Sequence, residues 1–205
     1  MEPKIVVVYY SSTGHVRRLA EAVAKGAEEA GAEVRLRRVQ ELAPEEAIKS
    51  NEQWWANHQD ELGKVEVVTH ADLEWADGYA FGTPTRFGNV SAQLKQFIDS
   101  CGGLWFHGKL ADKPVTSFTS AMNRHGGQES TITSMNNIFY HWGSVIVPPG
   151  YTDQMIFASG GNPYGASAFD TLTGEDLDAV LKSAAYQGRR LAKFASAILA
   201  SRQPA

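Results

Sequence analysis

Residues 4–15 read Lys-Ile-Val-Val-Val-Tyr-Tyr-Ser-Ser-Thr-Gly-His, and this stretch decides the fold. From Ile5 to Tyr10 the run is apolar at odd and even positions alike and is rich in β-branched residues. A strand that is apolar on both faces is buried on both faces, which favours a parallel sheet sandwiched between helices. Val16, Leu19, Ala20, Val23, Ala24 and Ala27 then recur at helical spacing, with Gly31 as a C-terminal stop. Strand, hydroxyl-rich turn and amphipathic helix together form the opening unit of an α/β domain.

The rest of the chain repeats that unit. Glu33–Arg38 alternates Val34 and Leu36 with Arg35 and Arg37, so it is a strand nearer the sheet edge. Gly78–Gly82 is a short strand, and Ser91–Ser100 a helix with Leu94, Phe97 and Ile98 inward. Val115–Thr119 is a strand, Gln128–Trp142 a helix, and Val145–Val147 a last strand stopped by Pro148-Pro149. Thr173-Gly174-Glu175-Asp176 resembles a capping box with Asp in place of Glu. It opens the longest helix, which places Leu177, Val180, Leu181, Ala184, Leu191, Ala195 and Ile198 on one face. The alternation predicts an α/β doubly wound parallel sheet with strand order 2-1-3-4-5, whose ligand crevice lies at the carboxyl ends of strands 1 and 3. A single domain over residues 1–205 is expected, with insertions around 42–70 and 148–173. The first insertion holds a polar tract containing Trp54 and Trp55, the second a Gly160–Gly165 loop too long to be mere connection.

Composition removes several function classes. The chain has 205 residues, 43% of them apolar, and 19 Lys+Arg against 23 Asp+Glu give a net charge of −4. A chain of this size builds a full core without disulfides or metals, and −4 lacks the electropositive footprint of a nucleic-acid binder. One cysteine, Cys101, suits a reducing cytoplasm. The acidic start and the six-residue apolar run Ile5–Tyr10 fit neither a secretory signal nor a membrane span. The six histidines show no zinc-ligand spacing, so no metal site is expected.

Three loops at the expected sheet edge carry chemistry. Ser11–His15 offers hydroxyls and the unpaired amides of a helix start, a combination that binds phosphate. The loop itself has no Lys or Arg, which favours a singly esterified phosphate over a triphosphate. Gly82–Asn89 (G-T-P-T-R-F-G-N) combines a stiffening proline with glycines that let backbone approach a ligand. In it Thr85 supplies a hydroxyl, and Phe87 a flat face. Thr119–Gln128 (T-S-A-M-N-R-H-G-G-Q) allows the chain to wrap a planar heterocycle edge-on. Each alone is ordinary turn chemistry; three at one edge point to a single mononucleotide.

Five motifs in order, Tyr9–His15, Gly82–Asn89, Gly102–Trp105, His125–Ser134 and Val145–Tyr151, make the chain resemble the WrbA family of flavodoxin-like NAD(P)H:quinone oxidoreductases. Asn162–Ala166 fits as well, and the resemblance is weakest across Leu42–His70. It implies FMN as cofactor, NADH or NADPH as reductant, a quinone as substrate, and a homotetramer in which neighbours complete each flavin pocket. By position it puts the FMN phosphate on Ser11, Ser12, Thr13, Gly14, His15 and Val16. Thr85, Arg86 and Phe87 would hold the ribityl chain and ring, and Ser120, Ala121, Met122, Asn123 and Arg124 the pyrimidine side. His141 would reach the flavin and act catalytically, and Trp105 would wall the substrate pocket. Thr13 stands where many relatives carry an aromatic residue implicated in nicotinamide contact. Trp142 replaces a second histidine often found after His141.

The implied reaction is a two-step exchange: NAD(P)H gives hydride to the flavin and leaves, then a quinone takes two electrons from the same space. Amides of the Ser120–Arg124 loop would stabilise charge on the reduced ring, and His141 would donate a proton or hydrogen bond to an oxygen. The alternative is a flavodoxin-type electron carrier without quinone reductase activity, although such carriers are more strongly acidic and lack these insertions.

Overall fold

The computed structural model describes residues 2–202. β1 (Lys4–Tyr9) lies between β2 (Glu33–Arg38) and β3 (Gly78–Pro84), all parallel; β4 (Pro114–Ala121) follows β3, and β5 (Val145–Ile146) follows β4. The order β2-β1-β3-β4-β5 is the one the sequence predicts. The continuous apolar run of β1 divides between two cores. Ile5, Val7 and Tyr9 join α1 (His15–Glu29) and α9 (Gly174–Ser201). Val6, Val8 and Tyr10 join α4 (His70–Trp75), α5 (Ala92–Ser100) and α7 (Gln128–Trp142).

β2 is the edge strand its alternation predicts. Val34 and Leu36 pack toward the first core. Arg35 and Arg37 on the other face each bond Asp72 Oδ1 at 3.1 Å, and Arg35 lies 3.9 Å from the centre of the Trp75 ring. Burial pushes the Asp72 carboxyl up, but bonds from Thr69 and the two guanidiniums more than offset it and hold the group below its ordinary value.

α1 and α9 touch backbone to backbone. A Cβ on Gly26 would stand 1.9 Å from the Ala185 carbonyl oxygen, and one on Gly188 would stand 2.0 Å from that of Val23. Both positions therefore exclude any side chain. Along α9, Val180, Ala184, Leu191 and Ala195 are buried and Leu177 and Leu181 pack against them, as the spacing predicts.

Two expectations need correction. Thr173 precedes α9, but its side chain makes no capping bond. Gly174, the first residue of α9, stands in the left-handed region at φ 56°. The last strand is also shorter than Val145–Val147, and it is not the last. β5 meets only Pro114 and Val115 of β4, because Pro148 and Pro149 have no N–H to continue the ladder. The chain leaves, forms α8 (Gln154–Ala158), and returns as β6 (Ser167–Phe169) beside Thr119–Ala121.

The middle of β4 thus lacks a strand partner on that side, and the Gln187 side chain fills the gap. From α9 its amide donates to Ser117 O (2.7 Å) and Thr116 Oγ1 (2.5 Å), while its carbonyl accepts from Ala166 N (2.8 Å). The first insertion forms α2 (Glu45–Lys49) and α3 (Glu52–Glu61), and α6 (Gly102–Phe106) follows α5.

Candidate functional site

The loops after β1, β3 and β4 open on one crevice of about 580 Å³ at the carboxyl edge of the sheet. Ser11, Ser12, Thr13, His15 and Val16 line one side of it. Gly14 makes the turn possible at φ 89°, and its amide donates to Ser11 Oγ at 3.1 Å. α1 begins with no side-chain cap, so the amides of its first turn have no intrahelical acceptor and lie at the positive end of the helix. That donor set fits a phosphate monoester.

The charges around the turn are few. Burial lowers the His15 imidazole below its ordinary value, against the pull of Asp170 at 3.6 Å, and the Arg18 guanidinium, 2.9 Å from His15 Nδ1, lowers it further. Arg17 turns away from the crevice to Glu21 (2.8 Å) and Asp60 (2.6 Å). The cation that the turn lacks comes from the second loop, where Arg86 Nη2 lies 3.4 Å from Ser12 Oγ.

The second loop is fixed at both ends. Thr85 N donates to Ser120 O (2.8 Å), and the Thr85 hydroxyl accepts from Thr131 Oγ1 (2.6 Å) and Gly88 N (3.2 Å). Arg86 and Asn89 exchange both backbone bonds, at 2.8 and 3.0 Å. Between them Phe87 is held at φ 53° with its ring fully in solvent. In the third loop Ser120, Ala121, Met122 and Asn123 line the same crevice. Gln128, buried at the start of α7, ties this loop together by donating to Asn123 O (2.8 Å) and accepting from Gly126 N (3.0 Å).

Three expected residues lie elsewhere. Arg124 does not line the crevice; it borders a neighbouring cavity of about 370 Å³, its guanidinium 5.5 Å from the Phe169 ring centre. His141 sits exposed at the far end of α7, about 20 Å of helix from the crevice at ~1.5 Å per residue. Trp105 is beside it, its indole N–H donating to His141 O at 2.8 Å. Within one chain these two form a pair apart from the three loops. Trp142 is buried edge-on against Tyr79, Phe81 and Phe139 and fills core where a histidine would leave polar atoms to satisfy. Cys101 is buried, and that burial pushes its thiol up to about 12, which makes it an inert packing residue.

The crevice also contains residues that no sequence pattern singles out. Asn51 and Gln53 enter it from the first insertion, and Asp170 from the end of β6. Asn51 and Gln53 belong to a polar tract without apolar periodicity, and Asp170 follows a strand too short to register as one.

An open parallel sheet with this strand order and a phosphate-type turn after its first strand defines a flavodoxin-like, nucleotide-binding α/β protein. The profile of the NADPH-dependent FMN reductase family matches residues 3–154, and the chain belongs to that family. It is 48% identical over 174 residues to an NAD(P)H dehydrogenase (quinone) of Deinococcus radiodurans, covering 85% of this chain and 86% of that one. A Geotalea uraniireducens protein of the same name is 42% identical over 203 residues, covering 94% and 98%. Among solved structures, a WrbA-like flavodoxin from Agrobacterium tumefaciens superposes with a TM-score of 0.67 at 28% identity, covering 96% of this chain and 99% of that one.

Proposed function

We propose that this protein is an FMN-dependent NAD(P)H:quinone oxidoreductase that reduces quinones to quinols by two electrons. The observation that carries this is one crevice walled by three loops, with an uncapped, cation-poor turn at one end and an exposed aromatic at its rim. The full-length relatives named NAD(P)H dehydrogenase (quinone) support it over a carrier without enzymatic activity. When bound, FMN supplies the two-electron chemistry, taking hydride from NAD(P)H and delivering electrons to the quinone.

The chain's own residues bind and orient. Ser11, Ser12, Thr13, Gly14, His15 and Val16 hold the phosphate through amides and hydroxyls, and Arg86 contributes a cation from the second loop. Thr85 and Phe87 flank the ribityl chain and ring. Ser120, Ala121, Met122 and Asn123 face the pyrimidine edge, with Arg124 just beyond it. Thr13, at the position where many relatives carry an aromatic residue, is the side chain of this turn that meets the nicotinamide nucleotide. Trp105 and His141 serve the crevice of a neighbouring copy, the role their distance from their own crevice supports, and the assembly is a homotetramer. A single buried thiol fits a cytoplasmic protein. Among the described residues no helix is long and apolar enough to cross a membrane.

The purified yellow protein should consume NADH or NADPH when benzoquinone is present, with a light-scattering mass near four times the 22.4 kDa of one chain. A flavin-loaded protein that leaves both nucleotides intact would be an electron carrier instead. His141→Ala should lower quinone turnover roughly tenfold at unchanged FMN content, the cost of about one hydrogen bond to a reacting oxygen. Turnover equal to wild type would remove His141 from the site.

A further inference from the structure

α3 lies in the stretch where the family resemblance is weakest, yet its side chains bond the phosphate turn and both elements that flank it. Asn57 Nδ2 donates to the Ser11 carbonyl at 2.9 Å, and Asn57 Oδ1 stands 3.3 Å from where a Cβ on Gly14 would be. One turn further on, buried Glu61 accepts from the Tyr9 hydroxyl at 2.8 Å. Asp60 holds Arg17 of α1 at 2.6 Å. Trp54 Nε1 donates to Glu41 at 3.1 Å, and Glu41 also accepts from the Tyr10 hydroxyl at 2.7 Å. The last residue of β1, the turn and the first helix are thus all tied to one short helix.

The bond from Asn57 has a direct effect on the turn. Across a trans peptide the C=O and the next N–H point in opposite directions. Fixing the Ser11 carbonyl on α3 therefore aims the Ser12 N–H away from α3, and that N–H has no acceptor among the described residues. The same helix brings Gln53 to the wall of the crevice, beside a turn that has no Lys or Arg of its own.

We propose that α3 is a clamp on the phosphate end of the flavin site. Asn57 is a positioning residue that orients the Ser12 amide, and Gln53 is a further ligand to the phosphate monoester. The clamp rests on the assignment of the FMN phosphate to Ser11–Val16. It gives the first insertion a role in retaining flavin and leaves the redox chemistry to other elements.

The test titrates deflavinated wild type, Asn57→Ala and Gln53→Ala with FMN and with riboflavin, which lacks the phosphate, and follows flavin fluorescence. Wild type should prefer FMN. Asn57→Ala should weaken FMN about tenfold and Gln53→Ala roughly threefold, with riboflavin affinity within about twofold of wild type for both. Wild type without preference for FMN would overturn the assignment of the turn itself. A clear preference in wild type, with both variants keeping their FMN affinity, would overturn the clamp alone. Equal losses for FMN and riboflavin would reduce α3 to a structural support and likewise overturn it. Gln53 is exposed in the first turn of α3, so Gln53→Ala folds and decides the ligand role, and Asn57→Ser replaces Asn57→Ala for the positioning role if the alanine variant does not fold.

Discussion

Replacing Ser12 with Asp is expected to raise the FMN dissociation constant by about 100-fold or more and riboflavin's by less than about fivefold. A carboxylate some 4 Å from a phosphate interacts by about 4 kcal/mol per charge pair at an effective dielectric of 20. Part of this is lost to solvent, because Ser12 is only half-buried. The remainder still exceeds the ~2.7 kcal/mol that corresponds to 100-fold. What opposes it is the guanidinium of Arg86, 3.4 Å from Ser12 Oγ, and that of Arg18 beside His15, while Arg17 is paired away to Glu21 and Asp60. The far-UV spectrum should not change, since the Ser12 side chain supports no element. Fluorescence titration with both flavins reads the result. A variant that loses both flavins alike, or neither, would move the phosphate away from this turn.

Gln187→Leu should destabilise the fold by about 4 kcal/mol and lower the urea midpoint by roughly 1.5–2 M. Gln187 is fully buried in mid-helix and completes the hydrogen bonding of Thr116, Ser117 and Ala166 where β5 has ended and β6 has not begun. Leucine keeps the bulk and abandons all three groups in a site water does not reach, and each such group costs about 1–3 kcal/mol. Among the described residues no buried side-chain nitrogen or oxygen lacks a partner, so a Thr116 hydroxyl left without Gln187 would be a defect foreign to this protein. Urea unfolding followed by tryptophan fluorescence measures it. A loss under about 1 kcal/mol would mean that the strand ends close over the gap unaided.

These two residues mark what the sequence did and did not disclose. The apolar run Ile5–Tyr10, the face of α1 and the bounds of Gln128–Trp142 were legible because burial imposes a period on residue choice, and the three loops could be placed once the strands were placed. Gln187 was illegible. A polar residue on a helix announces solvent unless one knows that the facing strand has lost its neighbour, and that loss follows from a proline pair and a three-residue strand with no period of its own. The role of α3 was hidden for a related reason. Its inward side is Asn57 and Glu61, which bond rather than pack, so no apolar stripe betrays it. His141 and Trp105 were found from motif resemblance, and single-chain geometry keeps them together but away from the three loops.

Phe87 shows how the rim of the crevice is prepared. An aromatic residue in the left-handed backbone region is disfavoured, and this one recovers nothing by burying its ring. The paired bonds of Arg86 and Asn89 keep it there regardless, so the cost of arranging that wall is met when the chain folds. A flat ligand arriving at the mouth finds the backbone that carries this ring already placed, so its host gives up less main-chain freedom on docking, the condition under which modest contact area yields tight retention.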